Sequence, residues 1–330
     1  MNIEGERFLI TGGYGLVASH IADRLLASGA AEVRLLDNAA VGSAATVAHL
    51  ADDPRVRMIR GDILRIEDLM AATEGVAGVF HAAMFITIPL AANLPLGMDV
   101  NVKGTVNLLE ACRWRGVRKL VYSSSISAYG NQSAGTITED SAYVVAGMHP
   151  ASALYGLSKL MGEQLCAFHA AKYGLEWMSL RLSTVYGERQ HARGINVLPL
   201  VASHDRIRRG LPPTIPGDGS EARDYVYVGD VARAEVLAME TAVTGEVLTI
   251  ASGRRSSFKE VVDLVSLACG SDMAPEYDTS EGRLKSAALS GHRFDIAKAE
   301  RLLGWRPETS LEEGIRRFVA WRDQTLASAS

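Results

Sequence analysis

Arg7-Phe8-Leu9-Ile10-Thr11-Gly12-Gly13-Tyr14-Gly15-Leu16-Val17-Ala18 is the stretch that decides the fold. Arg7 to Thr11 reads as a short apolar strand, and Ser19 to Ala27 carries the periodicity of a helix. Strand, glycine turn and helix in that order are what a dinucleotide fingerprint requires. Gly12 permits the tight turn, Gly15 lets the backbone come close to a pyrophosphate, and Ala18 sits where helix and strand pack closely. The amides of Leu16 and Val17, at the start of the helix, face the phosphates together with the helix dipole. Glycine-rich turns also occur without a ligand, so the rest of the chain has to carry the argument.

Working outward, the next strand, Glu32 to Leu36, ends in Asp37-Asn38. An acid at this distance accepts hydrogen bonds from both ribose hydroxyls and repels a 2′-phosphate, which selects NAD over NADP. A third strand, Val56 to Ile59, ends in Gly61-Asp62-Ile63, suited to the adenine edge. A fourth, Gly78 to His81, runs into Ala82-Ala83, where small side chains let a cofactor lie against the chain. Asn101-Val102-Lys103-Gly104-Thr105 opens a helix, and Lys119 to Ser123 is a fifth strand that delivers Ser125 to the same edge. Strands alternating with helices at these intervals predict an α/β fold. They form a Rossmann-type doubly wound parallel sheet, with ligands beyond the carboxyl ends of the strands.

Tyr155-Gly156-Leu157-Ser158-Lys159 follows on a segment whose start is marked by Pro150 and Ser152. A spacing of four in a helix puts Tyr155 and Lys159 on one face. A phenol holds its proton to a pKa of about 10. An ammonium beside it favours the phenolate, which can then act as a base near neutrality. A serine hydroxyl at the end of a neighbouring strand can hold the oxygen from which the proton leaves. In isolation the pair is equally what an amphipathic surface helix presents.

Size and charge limit the alternatives. A chain of 330 residues has room for one large domain or two coupled lobes. A net charge of −4 lacks the basic footprint of a nucleic-acid binder, and Arg206, Arg208 and Arg209 read as a solvated turn. The first strand begins within a few residues of Met1, so no signal peptide is expected, and no apolar run reaches membrane length. Cys112, Cys166 and Cys269 are odd in number and lack metal-ligand spacing. They are expected to be buried thiols of a cytoplasmic protein, and no metal is expected.

Thr11-Gly12-Gly13-x-Gly15, Leu36-Asp37-Asn38, Gly61-Asp62-Ile63, His81-Ala82-Ala83, Asn101-Val102-x-Gly104-Thr105, Ser123-Ser124-Ser125, Tyr155-x-x-x-Lys159 and Arg181-x-x-x-Val185-Tyr186-Gly187 together resemble the extended short-chain dehydrogenase/reductases of the NAD-dependent epimerase/dehydratase family. The resemblance spans nearly the whole chain. It implies a cofactor domain over 1–182 to which 225–250 returns, and a smaller, discontinuous α/β substrate lobe over 183–224 and 251–330. It implies catalysis by Ser125, Tyr155 and Lys159, and adds Asn38, Ile63, Asn101, Ser123, Tyr155 and Lys159 to the NAD site, with Lys159 on the nicotinamide ribose. Thr87, Thr184, Asn196, Val197 and Arg223 then face a nucleotide sugar together with Ser125. Arg223 either pairs with a phosphate or makes a salt bridge to Asp224 or Glu221. The expected reaction is that of a UDP-hexose 4-epimerase working by transient oxidation at C4. An NAD-dependent dehydrogenase or reductase with the same triad, acting on a sugar or another hydroxyl or carbonyl substrate, is the alternative.

Dehydratases of the family carry a carboxylate just after the catalytic serine position, where this chain has Ile126. Thr184 stands where nucleotide-sugar enzymes of the family carry asparagine, and Met84 to Leu90 is more apolar than the loop expected beside a sugar. Both departures leave open an unusual sugar, or a substrate that is not a nucleotide sugar. In relatives, the helices matching Asn101–Trp114 and Tyr155–Lys172 pair across a two-fold axis, which implies a homodimer.

Overall fold

Phe8 and Ile10 point to one face of their strand and Leu9 to the other, so such a strand needs apolar cover on both sides. The computed structural model describes residues 1–132, 135–190, 198–278 and 292–329, and among these residues that cover is present. The strands β1 (Arg7–Thr11), β2 (Glu32–Asp37), β3 (Val56–Arg60), β4 (Gly78–His81) and β5 (Lys119–Ser125) lie where expected. Two further strands, Glu176–Leu182 and Glu246–Ile250, extend the sheet beyond β5. From that edge the order is Glu246–Ile250, Glu176–Leu182, β5, β4, β1, β2, β3, and every pairing is parallel.

On one face Phe8, Ile10, Leu35, Phe80 and Val121 pack with Ile21 and Leu25 of α1 (Leu16–Ala27) and with Val231 and Met239 of the helix Val228–Glu240. On the other, Leu9, Leu36, Val79, Leu120 and Tyr122 meet Leu108 and Leu109 of the helix Gly104–Arg115 and Cys166 of the helix Pro150–Tyr173. The chain passes from β1 outward to β3, then returns to lay β4 on the opposite side of β1. This reversal opens a crevice at the carboxyl ends of β1 and β4.

A second sheet joins Thr184–Tyr186, Ala222–Tyr227 and Arg255–Ser257. Tyr186, Leu200, Tyr225, Val261, Ile315 and Phe318 form a separate core there. The helix Leu311–Ala329 contributes to it and had no sequence expectation. Ala299 and Trp305 fall in the stretch assigned to the lobe. They pack instead in the core of the large sheet, and the Trp305 indole donates to the Asp230 carbonyl at 2.9 Å.

The helix expected to open at Asn101 begins earlier, at Leu94. It passes through a π-type turn over Asp99–Lys103 before Gly104–Arg115. Such a widened turn re-aims the side chains it carries, and Asn101 is one of them. The helix Pro150–Tyr173 is capped by the His149 side chain rather than by Ser152. Arg206 and Arg208 are not a free solvated turn: they pair with Glu276 and Asp323 at 2.7 and 2.6 Å. Cys112 and Cys166 are buried and Cys269 half-buried, all three as free thiols. Among the described residues no helix is long and apolar enough to cross a membrane.

Candidate active site

The crevice is built by close backbone approach. Gly12 has φ +68°, and a Cβ there would lie 2.8 Å from the Ala83 nitrogen. Gly15 precedes α1 and its N–H donates to the Gly12 carbonyl at 2.9 Å. Leu16 and Val17 begin the helix, where first-turn amides have no carbonyl of the same helix to bind. Ala18 is buried, and the Ala82 N–H donates to the Thr11 carbonyl at 3.2 Å, tying the two crevice walls together.

Asp37, at the end of β2, accepts from the Tyr14 N–H at 3.1 Å and from the Ala39 N–H at 2.7 Å. Its carboxylate is thus fixed beside the glycine turn. Asn38 donates to Asp62 at 3.0 Å, and Asp62 also accepts from the Leu64 N–H at 2.9 Å. Ile63 is buried, and a Cβ on Gly104 would meet its Cδ1 at 2.5 Å. A left-handed glycine, a helix start and a fixed acid are the parts that a dinucleotide's turn, pyrophosphate and ribose require, so the residues present fit NAD.

Ser125 ends β5 and caps the turn Ile126–Tyr129, accepting from the Ser127 N–H at 3.2 Å. Its hydroxyl stands near the phenol of Tyr155 and favours the phenolate. Lys159, one turn beyond Tyr155, is buried and donates from Nζ to the Ser123 carbonyl at 2.7 Å. The fold therefore gathers Ser125, Tyr155 and Lys159. The electrostatics differ from the expectation in one respect. Burial pushes the Tyr155 phenol up to about 12, against the lowering effect of the Ser125 hydroxyl. Burial also pushes Lys159 down to about 7, against Glu163 and Glu235. With Nζ 5.7 Å from the Tyr155 ring centre and aimed at the Ser123 carbonyl, desolvation outweighs the neighbouring ammonium and governs both groups.

Two acids beside the triad escaped the sequence reading. Glu163 accepts from Arg181 Nη2 at 2.7 Å and Nε at 3.0 Å, and from the Ser124 hydroxyl at 2.6 Å. It stands four residues after Lys159, the same spacing that singled out the Tyr155 pair. Glu235 accepts from the Ser123 hydroxyl at 2.7 Å and is fully buried. Its sequence signal was an acid four residues after Val231 and three before Ala238, on the apolar stripe of a helix. Asn101, expected to touch the cofactor, is fully buried. Its amide is spent on both backbone polar groups of Phe85 and on the Ser158 hydroxyl, so it holds the 84–90 segment in place.

On the substrate side, Thr87 opens the helix Thr87–Ala92 and is half-buried. Thr184 is buried at the start of its strand and lies in register with Tyr225. Arg223 is buried and pairs with Glu221, the second of its two expected acid partners. Asp224 instead accepts from the Ser183 hydroxyl at 2.8 Å and the Ser252 N–H at 2.7 Å. Arg223 Nε has no hydrogen-bond partner among the described residues. Asn196 and Val197 lie outside the described residues.

Comparison with known proteins agrees with this geometry. The family described as "NAD dependent epimerase/dehydratase family" matches residues 8–251. The UDP-glucose 4-epimerase of Mycolicibacterium smegmatis is 32% identical over 317 residues, covering 95% of this chain and 97% of that protein. The crystal structure of UDP-glucose 4-epimerase from Thermotoga maritima, solved with UDP-glucose, superposes with a TM-score of 0.86 at 31% identity, covering 97% of this chain and 99% of that one. UDP-glucose 4-epimerase from Thermus thermophilus, in complex with NAD, gives a TM-score of 0.78 at 32% identity over 96% of this chain and 98% of that one.

Proposed function

The chain belongs to the NAD-dependent epimerase/dehydratase family, and from that premise we propose that it is a nucleotide-sugar 4-epimerase acting on UDP-hexoses. The observation that carries this reading is the meeting of Ser125, Tyr155 and Lys159 at the end of β5, next to the Gly12–Ala83 crevice. NAD, held by Gly12, Gly15, Leu16, Val17 and Asp37, supplies a reversible hydride acceptor for C4 of the sugar. Tyr155 takes the proton of the C4 hydroxyl and later returns it. Ser125, beside the phenol, holds the reacting oxygen at the place of transfer. Lys159 offsets the negative charge that forms on the phenolate one helical turn away. Because burial alone holds the Tyr155 proton tightly, that charge compensation is a requirement of the site. The test is conversion of UDP-galactose to UDP-glucose by the purified protein; no interconversion of UDP-hexoses at C4 would remove the reading.

The nucleotide diphosphate is assigned to the lobe formed by 183–224 and the part of 251–330 that joins the second sheet. Residues 1–182 with 225–250 form the cofactor domain. Arg223 shares its guanidinium between Glu221 and a phosphate, which supplies the partner its Nε lacks. Asn196 and Val197 are assigned to the same phosphate, and Thr87 and Thr184 to the sugar side. The free thiols fit a cytoplasmic setting.

NAD is expected to bind far more tightly than NADP, because Asp37 is fixed in place by two backbone N–H groups and cannot turn away from a 2′-phosphate. Asp37→Ser should narrow the preference in a fluorescence titration; equal affinities in the unaltered protein would refute the assignment. A homodimer is supported by the exposed apolar side chains of the two helices expected to pair. Leu157, Met161 and Phe168 are 44, 50 and 54% exposed on one helix, and Trp114 is 67% exposed on the other. Light scattering at micromolar concentration should give twice the mass of one chain, and a monomer would contradict the proposal.

A further inference from the structure

Glu235 is a fully buried acid that the reaction as derived does not use. It lies on the helix Val228–Glu240, which packs on the face of the sheet opposite to the helix bearing Lys159. The two side chains meet at Ser123: Lys159 Nζ donates to its carbonyl at 2.7 Å, and its hydroxyl donates to Glu235 Oε1 at 2.7 Å. Glu235 Oε2 is buried and has no hydrogen-bond partner among the described residues. A carboxylate oxygen in that state is costly unless a positive charge stands nearby.

Of the other groups around Lys159, only Glu163 also attracts its ammonium. Glu163, on the same helix, is committed to Arg181 from the strand Glu176–Leu182 at 2.7 Å. His81 of β4 lies between the Thr11 and Thr105 hydroxyls, and burial pushes it down to about 3, so it is neutral. Tyr122 of β5, whose ring centre is 5.2 Å from Nζ, is raised by burial and is neutral as well, as is Tyr155. Glu163 is thus shared between Arg181 and Lys159, whereas Lys159 is, among the described residues, the one cation that acts on Glu235.

We infer that Glu235 is a positioning residue whose carboxylate, linked through Ser123, keeps Lys159 charged and aimed beside Tyr155. Burial pushes Glu235 up to about 7 and Lys159 down to about 7, and their mutual attraction opposes both shifts. Without the carboxylate, the ammonium loses its proton at a lower pH. The inference rests on the role proposed for Lys159, and its test separates the two.

Glu235→Gln keeps the shape and an acceptor for Ser123, removes the charge and puts an amide NH2 in place of one oxygen. In the holoenzyme, the fall of kcat with rising pH should move about one unit towards lower pH, the size of shift a neighbouring opposite charge produces. KM should be little changed, and Glu235→Asp should restore the profile. The Lys159 side-chain nitrogen, followed by NMR in 15N-lysine-labelled protein and identified by its absence in Lys159→Met, should titrate lower by a similar amount. A profile and titration that match the unaltered protein would overturn the inference, as would an Asp variant as impaired as the Gln one, since that marks a packing role.

If Glu235→Gln does not fold, the double variant Glu235→Gln, Lys159→Met decides the matter. The pairing predicts that removing both charges recovers folding, and a double variant as unstable as the sum of its parts contradicts it. The NMR titration and the folding comparison involve no turnover. They can therefore fail while the epimerase reading stands, and the reverse also holds.

Discussion

Tyr155→Phe is expected to lower turnover by at least about 100-fold, the lower end of what a general acid–base group contributes. The variant keeps the ring and loses only the hydroxyl. Tyr155 is 8% exposed and its ring is retained, so the packing around it should hardly change. NAD binding should persist, because Gly12, Gly15 and Asp37 lie on the other side of the crevice and are fixed by backbone contacts. Steady-state kinetics together with an NAD titration check both halves. Near-full activity would mean that another group moves the proton, and loss of NAD binding would mean that the hydroxyl is part of the cofactor site.

The largest stability effect is expected from Glu163→Gln. Glu163 and Arg181 have side chains 2 and 8% exposed, and two hydrogen bonds join them. Burial alone would lower Arg181, but the bonds to Glu163 outweigh it and hold the guanidinium above its ordinary value. A guanidinium keeps its proton throughout the accessible pH range, so Arg181 stays charged when its partner is neutralised. An uncompensated buried charge costs about 3–5 kcal/mol, which denaturant unfolding would read as a lower midpoint at similar slope. Glu163 also accepts from Ser124, next to the catalytic serine, so activity should fall as well. A loss below about 1 kcal/mol would place the pair among weakly contributing surface ion pairs.

These two residues differ in how legible they were. Tyr155 was readable because helical spacing links it to Lys159 and a strand end supplies Ser125. Glu163 obeys the same spacing, but its partner Arg181 lies on a strand whose place beside β5 is set only by sheet order. Glu235 was less legible still, since it reaches Ser123 from a helix more than a hundred residues away. The first five strands followed from apolar runs bounded by glycine and acid turns. Glu176–Leu182, beside β5, and Glu246–Ile250, beside Glu176–Leu182, went unread. The electrostatic expectation for Tyr155 failed because spacing reports which side chains are neighbours and says nothing of how dry their surroundings are. Once both groups are buried, desolvation outweighs their proximity.

The most direct test of the central claim follows the hydrogen on C4. UDP-galactose deuterated at that carbon, turned over by the purified protein in the presence of added unlabelled NAD and NADH, should yield UDP-glucose that keeps deuterium at C4. NADH absorbance should not rise. That outcome is predicted by a site in which oxidation is transient and the hydrogen returns to the sugar it left. Deuterium lost to the added cofactor, with NADH formed in proportion to substrate consumed, would contradict it and identify a dehydrogenase.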